Sequence, residues 1–164
     1  MSAAINIQKC SRCKSDAVIF QAYSGQHLCG RHLHSSIRKK TSKELRNQLN
    51  LPKNAIKEDG SRYKILVAIS GGKDSAVLLS MIVDIIGKRR DIEIIAGCVD
   101  EGIDGYRSPS LKCARDLAED LDIKFETVSY EEMDYERMDE VVSRIPIIGS
   151  LHQEANGMMP CSFC

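Results

Sequence analysis

A chain of 164 residues has room for one ordinary domain, or for a small module joined to part of a larger one, and the second division is expected here. Its 23 Lys and Arg balance 23 Asp and Glu, yet residues 1–57 hold 11 against 2 and the rest 12 against 21, so a basic third precedes an acidic remainder and points to a polyanionic partner. No apolar run approaches the roughly 20 residues that span a bilayer, and the first residues lack the pattern of a secretory signal. A cytoplasmic protein without a membrane partner is expected, in which seven cysteines point to metal or redox chemistry rather than disulfide staples.

Cys10, Cys13, Cys29 and His32 form C-x2-C-x15-C-x2-H. Thiolates and a neutral imidazole suit tetrahedral Zn2+, and four protein ligands close the coordination sphere, which makes such a site structural. His34 is an alternative fourth ligand, with C-x2-H the tighter spacing. Residues 17–23 are expected to supply a strand pair feeding the Ser24-Gly25 turn. So short a module has almost no core, and metal binding would supply most of its folding free energy. The zinc-finger module is assigned to residues 1–35.

Residues 36–60 form a basic helix and linker. The helical pattern starts near Arg31 and carries Arg38, Lys39, Lys40, Lys43 and Arg46, with Leu33, Ile37, Leu45 and Leu49 as its sparse apolar positions. It suits a surface that leads a phosphate backbone toward a nucleotide site, and equally a helix that props the metal module. Leu51-Pro52 ends it, and the polar residues 57–62 read as a linker.

Residues 61–164 are expected to form the first part of an α/β domain with a doubly wound parallel sheet. Its organising stretch is residues 64–80, KILVAISGGKDSAVLLS, where a short apolar strand runs through a glycine turn into an amphipathic helix beginning at about Asp74 or Ser75. Gly71 and Gly72 let the backbone turn sharply and approach a ligand. The helix start adds unpaired N–H groups and a partial positive charge, and Lys73 and Ser75 add a charge and a hydroxyl, which together make a phosphate site. The G-x-x-x-x-G-K-[ST] spacing of the Walker loop is absent.

Gly87 stops that helix, and residues 92–99 are a second buried strand. Asp100 and Glu101 follow at its carboxyl end, the edge at which ligands bind in such sheets, and are placed to meet a nucleotide or its metal. Ser108-Pro109 reads as an N-cap with proline at the first helical position, opening a helix through about Leu121. Residues 124–129 are a third strand and residues 130–145 an acidic helix. Cys98 and Cys113 read as small core residues. Cys161 and Cys164 form a second C-x-x-C, suited to a metal, a cluster or thiolate exchange, and two cysteines do not complete a four-ligand site.

The hexapeptide SGGKDS resembles the PP-loop of the ATP pyrophosphatase superfamily. The ordered set of C-x2-C-x15-C-x2-H, basic stretch, SGGKDS, DEGIDGYR and PCSFC resembles one branch of it, the archaeal and eukaryotic-type cytosolic tRNA 2-thiouridine synthetases with the related ribothymidine thiolases of thermophiles. The resemblance covers nearly the whole chain. It implies a first module near the tRNA and ATP held by Ser70, Gly71, Gly72, Lys73, Asp74 and Ser75, with Asp100 nearby and Mg2+ on the phosphates. It also implies catalytic cysteines at Cys161 and Cys164, holding a labile iron–sulfur cluster or carrying persulfide. The implied reaction is adenylation of the 2-carbonyl oxygen of a tRNA uracil with release of pyrophosphate, then displacement of AMP by sulfur. A sulfur donor, either a carrier protein or sulfide, and a homodimeric assembly complete the expected partners.

Family members continue with further strands, a third cluster cysteine and a second zinc finger, so the chain reads as an N-terminal portion without full thiolation activity of its own. Two other readings stand beside this one. Another PP-loop ligase or amidotransferase would leave both cysteine motifs unexplained. A zinc-dependent tRNA-binding module with a vestigial nucleotide fold would bind RNA without ATP.

Overall fold

Residues 7–103, 105 and 107–151 are described by a computed structural model, in which the chain separates into two units, residues 1–53 and 54–164. The first unit is a β-hairpin followed by a long helix. Strands β1 (Ile19–Gln21) and β2 (Gln26–Leu28) pair antiparallel, Ile19 opposite Leu28 and Gln21 opposite Gln26. Both strands were expected before the Ser24-Gly25 turn, whereas only β1 lies there. Ser24-Gly25 is itself the chain reversal, with Gly25 at φ +63° and the Ser24 N–H donating to the Gln21 carbonyl, so the second strand must follow it.

Helix α1 (Gly30–Leu49) starts directly after Cys29 and stops at Asn50, which adopts the left-handed conformation of a helix terminator. Leu33 on its first turns packs against a small cluster of Cys10, Leu28 and Cys29, in which Leu28 is completely buried. One aliphatic side chain and two thiols are too little apolar area to hold such a unit alone.

The second unit is a three-stranded parallel sheet of β3 (Tyr63–Ala68), β4 (Ile92–Asp100) and β5 (Lys124–Ser129), in the order β3-β4-β5. Leu66 pairs with Ile95, and Ile95 with Lys124. Helix α2 (Lys73–Ile86) joins β3 to β4, and α3 (Arg107–Asp120) joins β4 to β5. Successive strands step in one direction, so right-handed crossovers carry both helices to the same face. Burial agrees. Val67, Ile69, Ile94, Ala96 and Cys98 are buried on one face together with Leu79, Ile82 and Ile86 of α2 and Ala114 and Ala118 of α3. Each such large aliphatic contributes about 1.5–3 kcal/mol. On the opposite face Leu66 is 67% exposed and Val99 38%. The expected parallel α/β sheet is therefore present, with its two crossover helices on a single side.

Three local expectations are corrected. Helix α3 begins at Arg107, so Ser108 and Pro109 lie inside its first turn rather than at its threshold; proline is tolerated there because first-turn N–H groups have no intrahelical acceptor. Cys113 is exposed, since Ala114 and Ala118 take the inward positions of α3 and Cys113 falls outside that stripe. Residues 130–145 are not one helix. A 3-10 turn, Glu131–Met133, ends at Asp134 in the left-handed region (φ +62°), and α4 (Met138–Leu151) starts afresh. A reciprocal cap sets that turn: the Glu132 N–H donates to Ser129 Oγ at 3.1 Å, and the Ser129 N–H to Glu132 Oε2 at 2.7 Å.

Candidate functional site

Two groups of sequence-predicted residues come together, one in each unit. In the first unit Cys10, Cys13, Cys29 and His32 converge until their ligand atoms all lie within 4.8 Å of one another. Cys10 Sγ is 3.3 Å and Cys29 Sγ 3.4 Å from His32 Nδ1, and the Sγ atoms of Cys13 and Cys29 are 3.7 Å apart. A tetrahedral ion with metal–sulfur bonds of about 2.3 Å spaces its sulfurs about 3.8 Å apart, so the quartet has the dimensions of a closed four-ligand site. His34 is exposed on α1 and is not among these ligand atoms.

Local folding explains the convergence. Cys10 and Cys13 flank a tight turn closed by the Cys13 N–H on the Cys10 carbonyl, while Cys29 occupies the N-cap position of α1 and His32 its first turn. Burial pushes the Cys10 thiol up, but backbone hydrogen bonds from the Cys29 and Arg12 amides, with side-chain bonds to His32 and Cys13, outweigh it and bring it down to about 6. For Cys29 the His32 amide favours the thiolate. Burial, hydrogen bonds with Cys13 and Cys10 and the charge on Cys10 together prevail and raise it. Three adjacent sulfurs cannot all be anions without a cation among them, and a divalent metal meets that demand.

In the second unit β3 runs out at Ala68, Ile69 is buried, and residues 70–72 turn into α2. Gly71 sits at φ +79°, and a Cβ placed on it would lie 2.1 Å from the Ser110 carbonyl oxygen of α3. Only glycine fits that conformation and that approach. Gly72 occupies the N-cap position of α2 with no side-chain cap, so the amides of the first turn keep their donor capacity for a ligand. The hydroxyls close the loop on itself. Ser75 Oγ donates to the Gly72 carbonyl at 2.9 Å and accepts the Ser70 N–H at 3.2 Å, while the Gly72 N–H reaches Ser70 Oγ at 3.4 Å. Lys73 and Asp74 project into solvent with their charges 3.6 Å apart. An ion pair so exposed is worth little, which leaves the ammonium available to an anion.

A depression of about 580 Å³ opens beside this loop on the exposed sheet face. Its floor is low because Ala68 and Gly97 are neighbours in register, and Leu66, Val99 and Val128 form apolar walls. Ser70, Ser75 and Glu101 stand at its polar end. A cleft with apolar walls, the Ser70 and Ser75 hydroxyls and the carboxylates of Glu101 and Glu126 suits a molecule with a flat apolar ring and polar substituents. Asp100 stands at the carboxyl edge, as expected, with one carboxylate oxygen accepting the Gly102 N–H at 3.0 Å. The loop after β4 is further tied by the Tyr130 N–H on the Asp100 carbonyl and the Met138 N–H on the Glu101 carbonyl. Cys161 and Cys164 lie outside the described residues.

Sequence reading missed Asp91. Its carboxylate takes a hydrogen bond from Arg89 at 2.6 Å and the Ala55 N–H at 2.6 Å, which holds it well below the usual carboxylate range and clamps the entry of the second unit to the start of β4. No helix among the described residues is long and apolar enough to cross a membrane.

Residues 9–34 match the family described as the N-terminal LIM domain of the 2-thiouridine synthetase TtuA. Over 95% of its length the chain is 38% identical to the tRNA 2-thiolation protein NcsA of Haloferax volcanii, spanning 45% of that protein. It is 28% identical over 96% of its length to a probable sulfurtransferase of Methanocaldococcus jannaschii, spanning 42% of it. The solved structure of the U34-tRNA thiolase NcsA from Methanococcus maripaludis with its [4Fe-4S] cluster superposes with a TM-score of 0.66 at 25% identity, over 95% of this chain and 46% of that one. The chain thus spans less than half the length of these relatives. Residues 9–34 are thus similar to this N-terminal domain, and 95% of the chain is similar to part of a tRNA 2-thiolation protein.

Proposed function

We propose that this chain supplies the ATP-binding and tRNA-facing portion of a cytoplasmic tRNA 2-thiouridine synthetase. The observation that carries the reading is the loop of residues 70–75, in which a glycine that cannot be replaced brings an uncapped helix start to the carboxyl edge of a parallel sheet. In this reading the amides of Gly71, Gly72 and Lys73, the Lys73 ammonium and the Ser70 and Ser75 hydroxyls bind the phosphates of ATP, and the neighbouring depression takes the nucleoside. Asp74 and Asp100 would hold Mg2+, a hard cation that takes carboxylate oxygens. The 2-carbonyl oxygen of uracil attacks the α-phosphorus, the bond to pyrophosphate breaks, and sulfur then displaces AMP from carbon 2. Donors fixed around the phosphates stabilise the charge that develops on the leaving pyrophosphate.

Cys10, Cys13, Cys29 and His32 would hold Zn2+, which fits three thiolates and an imidazole at tetrahedral spacing. Cys161 and Cys164 belong to the same proposal as ligands of an iron–sulfur cluster, with a third ligand from outside this chain, or as persulfide carriers. The sulfur donor and a homodimeric assembly complete it.

A second reading, an RNA-binding module with a vestigial nucleotide fold, is favoured by the hydroxyl of Ser75 being spent inside its own loop. Titration of the chain with MgATP and with tRNA separates the two. The synthetase reading expects ATP binding that falls at least tenfold in Lys73→Ala and Ser75→Ala while tRNA affinity is kept; tRNA binding with no ATP affinity at all would favour the module.

A further inference from the structure

Helix α1 carries Arg31, Arg38, Lys39, Lys40, Lys43 and Arg46 against a single acid, Glu44. Ser35, Arg38, Lys39, Ser42 and Arg46 together line a shallow groove of about 260 Å³ along one side of the helix. Their spacing of three or four residues stacks them on one face, and from Ser35 to Arg46 that face extends about 16 Å at the helical rise. Three cations and two hydroxyls line the groove, and among the described residues no carboxylate does. The one acid of α1, Glu44, falls on a different face and engages the Gln48 side chain.

Other contacts hold α1 in place. Leu33 packs on the Cys10, Leu28 and Cys29 cluster. Lys40 lies 4.0 Å from the ring centre of Tyr23, at the turn between β1 and β2. Cys29 and His32, at the threshold and in the first turn of the same helix, fix its start to the metal knuckle. The stripe is therefore presented on a helix anchored at its first turns and by the hairpin, which lowers the ordering cost of binding.

We propose that this groove is an RNA phosphate-binding surface, in which Arg38, Lys39 and Arg46 contact successive backbone phosphates and Ser35 and Ser42 donate hydroxyl hydrogen bonds to them. Guanidinium forks pair bidentately with phosphate oxygens, and hydroxyls supply the neutral donors common at nucleic-acid backbones. The identity of the polyanion as tRNA rests on the synthetase reading above. The groove positions the RNA and does not read its bases.

The test is fluorescence anisotropy of labelled tRNA on the full chain across a salt series, comparing R38Q/K39Q/R46Q with K14Q/K53Q/K57Q, which removes the same charge from outside α1. The groove variant should lose at least tenfold in affinity, and its slope of log affinity against log salt should become shallower by about 2, as expected when three phosphate contacts are lost from a single strand. The control should lose less than threefold. Circular dichroism and bound-metal content check that both variants fold, and R46Q alone, expected to lose about threefold, provides a milder change. Equal losses in the two triple variants, or no loss in the groove variant, would overturn the assignment. MgATP affinity is measured on the same samples: intact ATP binding with unchanged RNA affinity removes the groove and spares the synthetase reading, whereas RNA loss without any ATP binding spares the groove and removes that reading.

Discussion

Gly71 and Asp91 set the limits of what single residues do here. Gly71→Ala places a methyl group 2.1 Å from the Ser110 carbonyl at a φ of +79°, so the loop and the first turn of α3 must separate. ATP binding is expected to be lost altogether, with a lowered melting temperature in calorimetry, whereas Gly25→Ala, with open space around its Cβ, costs only the strain of its φ and spares ATP binding. Asp91 gives a pH signature. Its carboxyl is held below the ordinary value of about 3.9 by the Arg89 guanidinium first and the Ala55 amide second, so its stabilisation is present above that value and is lost as pH falls below it toward the folded pKa. Asp91→Asn should lower the melting temperature at pH 7, and the gap from wild type should close progressively below about pH 4. The metal quartet and the loop were legible because their chemistry demands certain residue types at fixed spacing. Asp91 was not, since its amide partner lies 36 residues upstream and nothing in the intervening sequence marks the pair.

Among the elements, the sheet carries an asymmetry that substitution can read. Ile94→Ala opens a cavity under α2 and α3 and should cost about 2–5 kcal/mol in urea unfolding. Leu66→Ala on the open face, where the side chain is 67% exposed, should cost well under that, about 0.5 kcal/mol or less. Comparable losses at both positions would mean that the open face is covered in solution. In the proposed reading the hairpin and α1 depend instead on a metal held by Cys10, Cys13, Cys29 and His32. Chelation at neutral pH should remove hydrogen-exchange protection from β1, β2 and the first turns of α1 while leaving β3, β4 and β5 protected. Strands β3 and β4 were readable as apolar runs bounded by turn residues, and β5 falls on residues 124–129 as expected. The break in the acidic stretch was missed although Ser129-x-x-Glu132 is itself a capping signal, because a cap read without its context does not say whether three residues follow or fourteen.

At the scale of the whole molecule, the charge division and the half-covered sheet go together. Residues 1–57 carry a balance of +9 and hold the Cys and His quartet and the basic helix, and residues 58–164 carry −9 and hold the glycine loop, so in the proposed reading attraction for an RNA polyanion and ATP binding fall in different parts of the chain. The relatives run to more than twice this length. The decisive measurement is a titration of the 15N-labelled chain with MgATP followed through its amide resonances. The account predicts saturable shifts concentrated at residues 70–76 and around the depression lined by Ala68, Gly97 and Val99, with β1, β2 and α1 unmoved. Absence of saturable shifts, or shifts confined to the basic helix, would contradict it.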